Sequence, residues 1–442
     1  MWSTLKSMIL SFRISLLFTP ILFAIGGLLL SFISVYADQS GFGQTLVKVL
    51  PGTGGIDEDG ARAVLSTIAA GMFSVTSIVI SLTFIALTMM SSQLGPRLLV
   101  FFMRDRTTKV SLGIFIATII YALVSMASIG ASGDATFAPH LSFVIAIVLA
   151  IISLGTMIHF VNHIAHSIQA DAIVARLAKE CDAAIDSAIR DEQSNEDPPS
   201  DSQIESFEAR FDDTSFKWEA QGTGYLSSVD YPKLLKVAAK HDAIVKLFFQ
   251  VNTFVFDEQV LALFKCPDDQ KEALSKALDA SISLSERRTP AQQINFEMSA
   301  LSEVALRALS PGINDPYTAS ACVDYLGNTL ARIAKASPKL RTLKDESGEM
   351  RLLRTADDLP FFLNECLAPI IEAGAGAPIA LASIIRTLNR IKQVAHAPGD
   401  LDAVADQQAA VQALIGKNIK HPSERERLIA LIDSDPDAVP PV

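Results

Sequence analysis

Residues 63–96 read AVLSTIAAGMFSVTSIVISLTFIALTMMSSQLGP, a stretch without a single Asp, Glu, Lys, Arg or His. At about 1.5 Å per residue, a helix of this length is longer than roughly 30 Å of bilayer hydrocarbon. It must tilt, bend or project beyond the membrane, and Gly95-Pro96 ends or kinks it. Thr67, Ser74, Ser81 and Thr88 recur every seven residues within it, with Ser77, Ser91 and Ser92 close to the same face. Seven residues are nearly two turns, so these hydroxyls form one stripe. Such a stripe either packs helices closely and bonds across them or lines a water-filled pathway. Thr67, Ser74, Ser77, Ser81, Thr88 and Ser92 are the pore-lining candidates on the second reading.

Three further apolar runs flank this one: Ser15–Tyr36, Val110–Ile129 and Leu141–Phe160, with Val64–Met90 as the core of the second. Each is long enough to span a bilayer as a helix, the form that satisfies its own backbone in lipid. Lys6 and Arg13 precede the first run, and Val35-Tyr36-Ala37 loosely resembles a signal cleavage site. The length of that run and the spans after it read as a retained first span. Arg97, Arg104, Arg106 and Lys109 lie between the second and third runs, and Arg176 and Lys179 follow the fourth. The 38–62 connection is mixed and acidic, and the one around Asp134 has no Lys or Arg. The positive-inside rule therefore puts both termini in the cytoplasm of a bacterial inner membrane.

Composition supports this division. Half of the 442 residues are hydrophobic, the net charge is −11, and acid concentrates in 191–213. No broad basic face exists, which argues against a nucleic-acid partner. Cys181, Cys266, Cys322 and Cys366 follow the last apolar run and form no CxxC pair, as expected of reduced, mostly buried thiols.

Beyond the fourth span, 163–189 has good helix formers and an apolar face at Ile173, Val174, Leu177 and Ala178, so the span is expected to continue as a stalk. The acidic stretch with Pro198-Pro199 reads as a loosely ordered linker. Strands are expected at 216–219, 225–229, 243–250, 253–256 and 260–264, with a helix capped by Asp230 running to about Lys240. From Pro267 the chain reads as mostly helical, with one further strand at 281–285. The fold class is mainly α, with four transmembrane helices followed by an α+β and then a helical cytoplasmic domain. The expected domains are 1–165 transmembrane, 166–190 stalk, 191–214 acidic linker, 215–266 α+β module, 267–432 helical domain and 433–442 frayed tail.

Other constellations are weighed against plain structural roles. Arg97–Arg106 mixes arginines with Leu98, Leu99, Phe101, Phe102 and Met103, as an interfacial helix touching anionic headgroups does, with an ordinary cytoplasmic turn obeying the positive-inside rule as the alternative. His159, His163 and His166 share one face where the fourth span ends. With Arg97 and Arg104 they are inner-mouth candidates. No third ligand completes a metal site, and polar packing or a pH-sensitive collar fits better. Pro311, Gly312, Asn314, Asp315 and Pro316 read as a helix–turn–helix joint, with Asn314 or Asp315 capping the outgoing helix. Arg287, Arg288 and Arg307 read as surface or ion-pair residues, with a small anion site as the alternative. No nucleophile elbow, phosphate loop or dinucleotide fingerprint is present, so no catalytic residue, cofactor or metal is assigned.

The run Ala305-Leu-Arg-Ala-Leu-Ser-Pro-Gly-Ile-Asn-Asp-Pro-Tyr-Thr-Ala319 resembles a signature of the bacterial predicted-membrane-protein family with domain of unknown function 2254. Ser91–Leu99, Phe102–Arg106, His163–Asp171 and Gly222–Val229 are similar to it as well, with Gly95 standing where a Ser is expected. The resemblance implies a membrane topology and carries no agreed activity. The expected function is a homo-oligomeric, channel-like protein with a cytoplasmic regulatory domain, acting on ions or small solutes and not an enzyme. The alternative is a membrane-anchored sensor or scaffold that binds a ligand or protein partner.

Overall fold

The computed structural model describes residues 17–40, 58–93, 95, 105–129, 140–167, 169–193, 201–249, 251–286, 294–336, 342–345, 347–354 and 358–434. These fall into two compact units, Met1–Ala172 and Ile173–Val442.

The N-terminal unit holds α1 (Phe18–Gln39), α2 (Glu58–Gln93), α3 (Arg106–Ser128) and α4 (His140–Ser167). All four are long and apolar enough to cross a membrane, with mean hydropathies of 2.1, 2.1, 2.2 and 2.7. They match the four expected spans and run a few residues further at several ends. Large apolar side chains such as Ile25, Phe32, Ile151 and Ile158 stand exposed on their outer faces, as lipid-facing positions do. α1 and α3 approach through glycine: a Cβ on Gly27 would lie 2.6 Å from the Ala117 carbonyl oxygen. α2 buries Leu65, Ala69, Met72, Thr76, Val79, Thr83, Ala86 and Met90, a spacing alternating between four and three residues along the helix. That near-heptad seam is the one by which helices pack along their lengths.

The expected stalk does not continue α4. The helix ends at Ser167 and α5 (Ala170–Gln193) starts afresh. The Gln169 N–H bonds the His166 carbonyl three residues back, so the last turn tightens and the ladder stops. Ile173, Val174, Leu177, Ala178, Cys181 and Ile185 of α5 are buried, and Arg332 binds Asp182 (2.8 Å) and Asp186. This helix therefore belongs to the core of the second unit.

The acidic stretch also departs from expectation, because it contains α6 (Asp201–Glu208). Ile204 and Phe207 lie three apart on α6 and pack with Ile244 and Leu353, while Glu205 and Glu208 are exposed. The strands follow as β1 (Phe216–Glu219), β2 (Gly224–Val229), β3 (Ile244–Leu247), β4 (Phe254–Val255), β5 (Val260–Lys265) and β6 (Ile282–Ser285), with α7 (Tyr231–Lys240) and α8 (Lys271–Asp279) between them. The α+β module does not close at residue 266. After α9 (Ile294–Ala308) and α10 (Pro316–Ala336), the chain returns with β7 (Thr342–Lys344) and β8 (Met350–Leu353). β8 joins β3 in parallel, giving a five-stranded sheet in the order β1-β5-β3-β8-β7 beside a three-stranded sheet β4-β2-β6. Arg351 fastens this return by pairing with Asp242 (2.7 Å) and Asp345 (2.9 Å). The chain ends in α11 (Leu359–Phe362), a π turn (Leu363–Leu367), α12 (Ala368–Ala373), α13 (Pro378–Val394), α14 (Pro398–Asn418) and α15 (Pro422–Ile432).

Cys181, Cys322 and Cys366 are buried and Cys266 is half-buried, all as free thiols. Burial pushes the Cys181 thiol far up, so it stays protonated and unreactive.

Candidate functional site

Two polar clusters bracket the apolar part of the N-terminal unit. At one end Asp38, in the last turn of α1, caps the start of α4. Its carboxylate accepts from Leu141 N–H (2.8 Å), Ser142 N–H (2.9 Å) and the Ser142 hydroxyl (2.8 Å). Ser142 also bonds Ser34, Ser34 bonds the Tyr121 hydroxyl (2.8 Å), and Ser31 bonds Ser125 (3.0 Å). α1, α3 and α4 are thus tied by a buried network whose named groups are all paired. Arg62 of α2 reaches the Ile129 carbonyl at the end of α3 (3.1 Å) on the same side.

At the other end Asp105 caps α3. Its Oδ2 accepts from the N–H (2.8 Å) and the hydroxyl (2.7 Å) of Thr108 and lies 3.0 Å from His163 Nε2 on α4. Ser142 and His163 are 21 residues apart on α4, about 32 Å at ~1.5 Å per residue. This matches the roughly 30 Å of a bilayer's hydrocarbon core, so the clusters stand where its two boundaries would fall.

The sequence singled out His163 and missed both acids. One signal for Asp38 existed: α4 begins after Pro139 with no Ser, Thr, Asp or Asn at the cap, so its first N–H groups need a partner from elsewhere. His159 stacks on His163 with 6.4 Å between ring centroids, while His166 turns to the Asn162 carbonyl (2.8 Å). The three histidines therefore do different things. Among the described residues no three His, Cys, Asp or Glu side chains gather as a metal set. Arg97 and Arg104, like Arg287 and Arg288, lie outside the described residues.

All six hydroxyl-stripe candidates, Thr67, Ser74, Ser77, Ser81, Thr88 and Ser92, are exposed on the single chain. Thr67, Ser74, Ser81 and Thr88 each follow a buried residue (Leu65, Met72, Val79, Ala86) by two positions. Two residues are about 200° around a helix, so the stripe lies opposite the packing seam. It does not pack against its own bundle. Thr67, Ser74, Ser77, Ser81 and Thr88 each donate to the carbonyl four residues back, at 2.8–3.2 Å. Ser92 donates to the Met89 carbonyl (3.0 Å). The hydroxyls thus carry polarity on an outer face without leaving a donor unmet.

A groove of about 570 Å³ separates α3 from α4 on the Asp105 side, lined by Arg106, Thr107, Val110, Ser111, Ile114, Ile152, Gly155, Thr156 and His159.

In the second unit α9 ends at Ala308, α10 starts at Pro316, and Asp315 is the residue that caps α10. Its Oδ1 accepts from Tyr317 and Thr318 N–H (both 3.1 Å) and its Oδ2 from the Thr318 hydroxyl (2.6 Å). Asn314 adopts the left-handed conformation (φ 50°), which turns the chain between helices. The Thr318 hydroxyl bond, aided by the two N–H bonds, outweighs desolvation and holds the Asp315 carboxyl below its usual range. The cap therefore contributes fully above the normal carboxylate range and is lost as pH falls through the lowered value. Asp315→Ala is expected to cost about 1 kcal/mol at neutral pH in equilibrium unfolding, with the deficit against wild type closing in acid.

A bundle of four spans fixed by paired polar groups at each end, followed by a mixed α/β unit, defines a membrane protein. The chain belongs to the predicted membrane protein family with domain of unknown function 2254, which it matches over residues 13–390. It is 28% identical over 381 residues to an uncharacterized protein of Mycobacterium bovis, covering 84% of this chain and 71% of that one. An uncharacterized protein of Mycobacterium tuberculosis matches to the same extent. No solved structure matches the chain.

Proposed function

We propose that this protein is a homo-oligomeric, channel-like protein of the bacterial inner membrane, with both termini cytoplasmic and a C-terminal unit that regulates it. The observation that carries the reading is the hydroxyl stripe of α2, which faces away from its own chain. A bundle of four spans with a paired interior has no room for a pathway of its own. Copies arranged about an axis would bring one polar stripe each to the centre. At about 54 Å, α2 outreaches the hydrocarbon and carries exposed Phe84, Ile85 and Met89 near its far end, apolar surface that a neighbouring copy would cover. Ions or small solutes are the cargo, no reaction is catalysed, and no nucleic acid is bound.

The Ser81 hydroxyl donates to the Ser77 carbonyl of its own helix, so Ser81→Leu is expected to leave stability within about 0.5 kcal/mol. In proteoliposomes of purified protein, wild type is expected to pass ions. The double variant Ser74→Leu/Ser81→Leu should lower the flux at least tenfold. Wild-type vesicles as tight as protein-free ones would overturn the reading.

A membrane-anchored sensor or scaffold is the second reading. It is favoured by an exposed aromatic cluster in the second unit, where Phe254 sits edge-on to Tyr225 (5.1 Å) and Phe256 (5.2 Å). Under it, Ser74→Leu/Ser81→Leu is silent and Phe256→Ser abolishes partner binding.

A further inference from the structure

The groove between α3 and α4 changes character along its length. Arg106 and His159 stand at one end, level with the Asp105–His163 pair that marks a membrane boundary. Ile114 and Ile152 form the other end, about 12 Å deeper counted along α3. The lining contains no acid. Arg106 is exposed and has no ion-pair or hydrogen-bond partner among the described residues. Ser111 lines the groove midway, is 2% exposed, and its hydroxyl has no hydrogen-bond partner among the described residues. A Cβ on Gly155 would meet nothing within 4 Å, so the missing side chain leaves open space.

We infer that this groove is a binding site for an anionic phospholipid, with the headgroup at Arg106 and His159 and an acyl chain against Ile114 and Ile152. Four observations converge. A cationic end at the boundary leading to an apolar end in the hydrocarbon matches a lipid's own order of headgroup and tail. A soluble anion has no use for the apolar half. The groove opens beside Ile151, Leu154 and Ile158, which are exposed on α4 as lipid-facing side chains are. Its volume lies within the roughly 300–1,000 Å³ of specific ligand sites. The unpartnered Ser111 hydroxyl supplies a donor for an ester or phosphate oxygen below the headgroup. The site requires only that the four helices span a membrane, and it stands whether or not the protein conducts.

The full-length protein, purified in detergent, is titrated with phosphatidylglycerol and, separately, phosphatidylcholine, and bound lipid is counted by native mass spectrometry. Wild type is expected to hold phosphatidylglycerol at least tenfold more tightly. Arg106→Gln should erase that preference. The Cβ of Gly155→Leu would meet nothing within 4 Å and leucine replaces a poor helix former, so the variant should fold normally, fill the groove and lose the bound lipid. Equal retention of the two lipids by wild type would overturn the site. So would unchanged phosphatidylglycerol binding in both variants, or a Gly155→Leu variant that keeps its lipid but changes its oligomeric state, which would assign the groove to a second copy of the chain.

Discussion

Asp38→Ala is expected to lower the unfolding stability of the detergent-solubilised protein by about 2–4 kcal/mol. The carboxylate takes three donors from the first turn of α4: Leu141 N–H, Ser142 N–H and the Ser142 hydroxyl. Alanine leaves the two backbone groups without an acceptor at the mouth of an apolar bundle. A cap lost in water costs about 1 kcal/mol because solvent replaces it, whereas a buried donor left unmet costs roughly 1–3 kcal/mol. Asp38→Asn keeps one carbonyl acceptor and is expected to recover about half of the loss. Unfolding titrations of the three proteins under identical detergent check this, and an Asp38→Ala change under about 0.5 kcal/mol would deny that Asp38 joins α1 to α4.

The second large effect is steric. Gly27→Val is expected to cost about 2–3 kcal/mol or more, because its Cβ would sit 2.6 Å from the Ala117 carbonyl oxygen and 2.9 Å from its Cα. Those are backbone atoms of α3 and no rotamer change relieves them, so α1 would have to move outward. The neighbouring Gly26 is the control, since its Cβ would meet nothing within 4 Å and Gly26→Val should be nearly silent. Gly113→Ala falls between the two, because the Phe23 ring at 2.8 Å is a side chain that can turn aside. The ranking Gly27, Gly113, Gly26 in the same unfolding assay tests whether α1 and α3 touch backbone to backbone.

The parts of this fold legible in the sequence are those set by local pattern. The four apolar runs are spans because length and absence of charge leave them no other stable form. β1 and α7 begin and end as read, since strand composition and an Asp-x-Pro start are written within a few residues. What escaped reading depends on partners far away along the chain. Asp38 meets Ser142 104 positions on, and Asp105 meets His163 58 positions on. β8 joins β3 after an intervening helical hairpin, so its apolar run reads as just another helix turn. The hydroxyl stripe of α2 was plain, but its direction was not. The complementary seam through Leu65, Met72, Val79 and Ala86 lay in the same helix, and apolar residues in an apolar span carry no contrast to reveal it.

The account depends most on the two polar clusters lying at opposite membrane faces. Single cysteines at Glu58 and Gln169, in a Cys266→Ser parent whose remaining thiols are buried, test this directly. Sealed right-side-out and inverted vesicles are exposed to an impermeant maleimide. Glu58→Cys is expected to react in one vesicle orientation only and Gln169→Cys in the other only. Reaction of both from the same side would contradict the four-span arrangement.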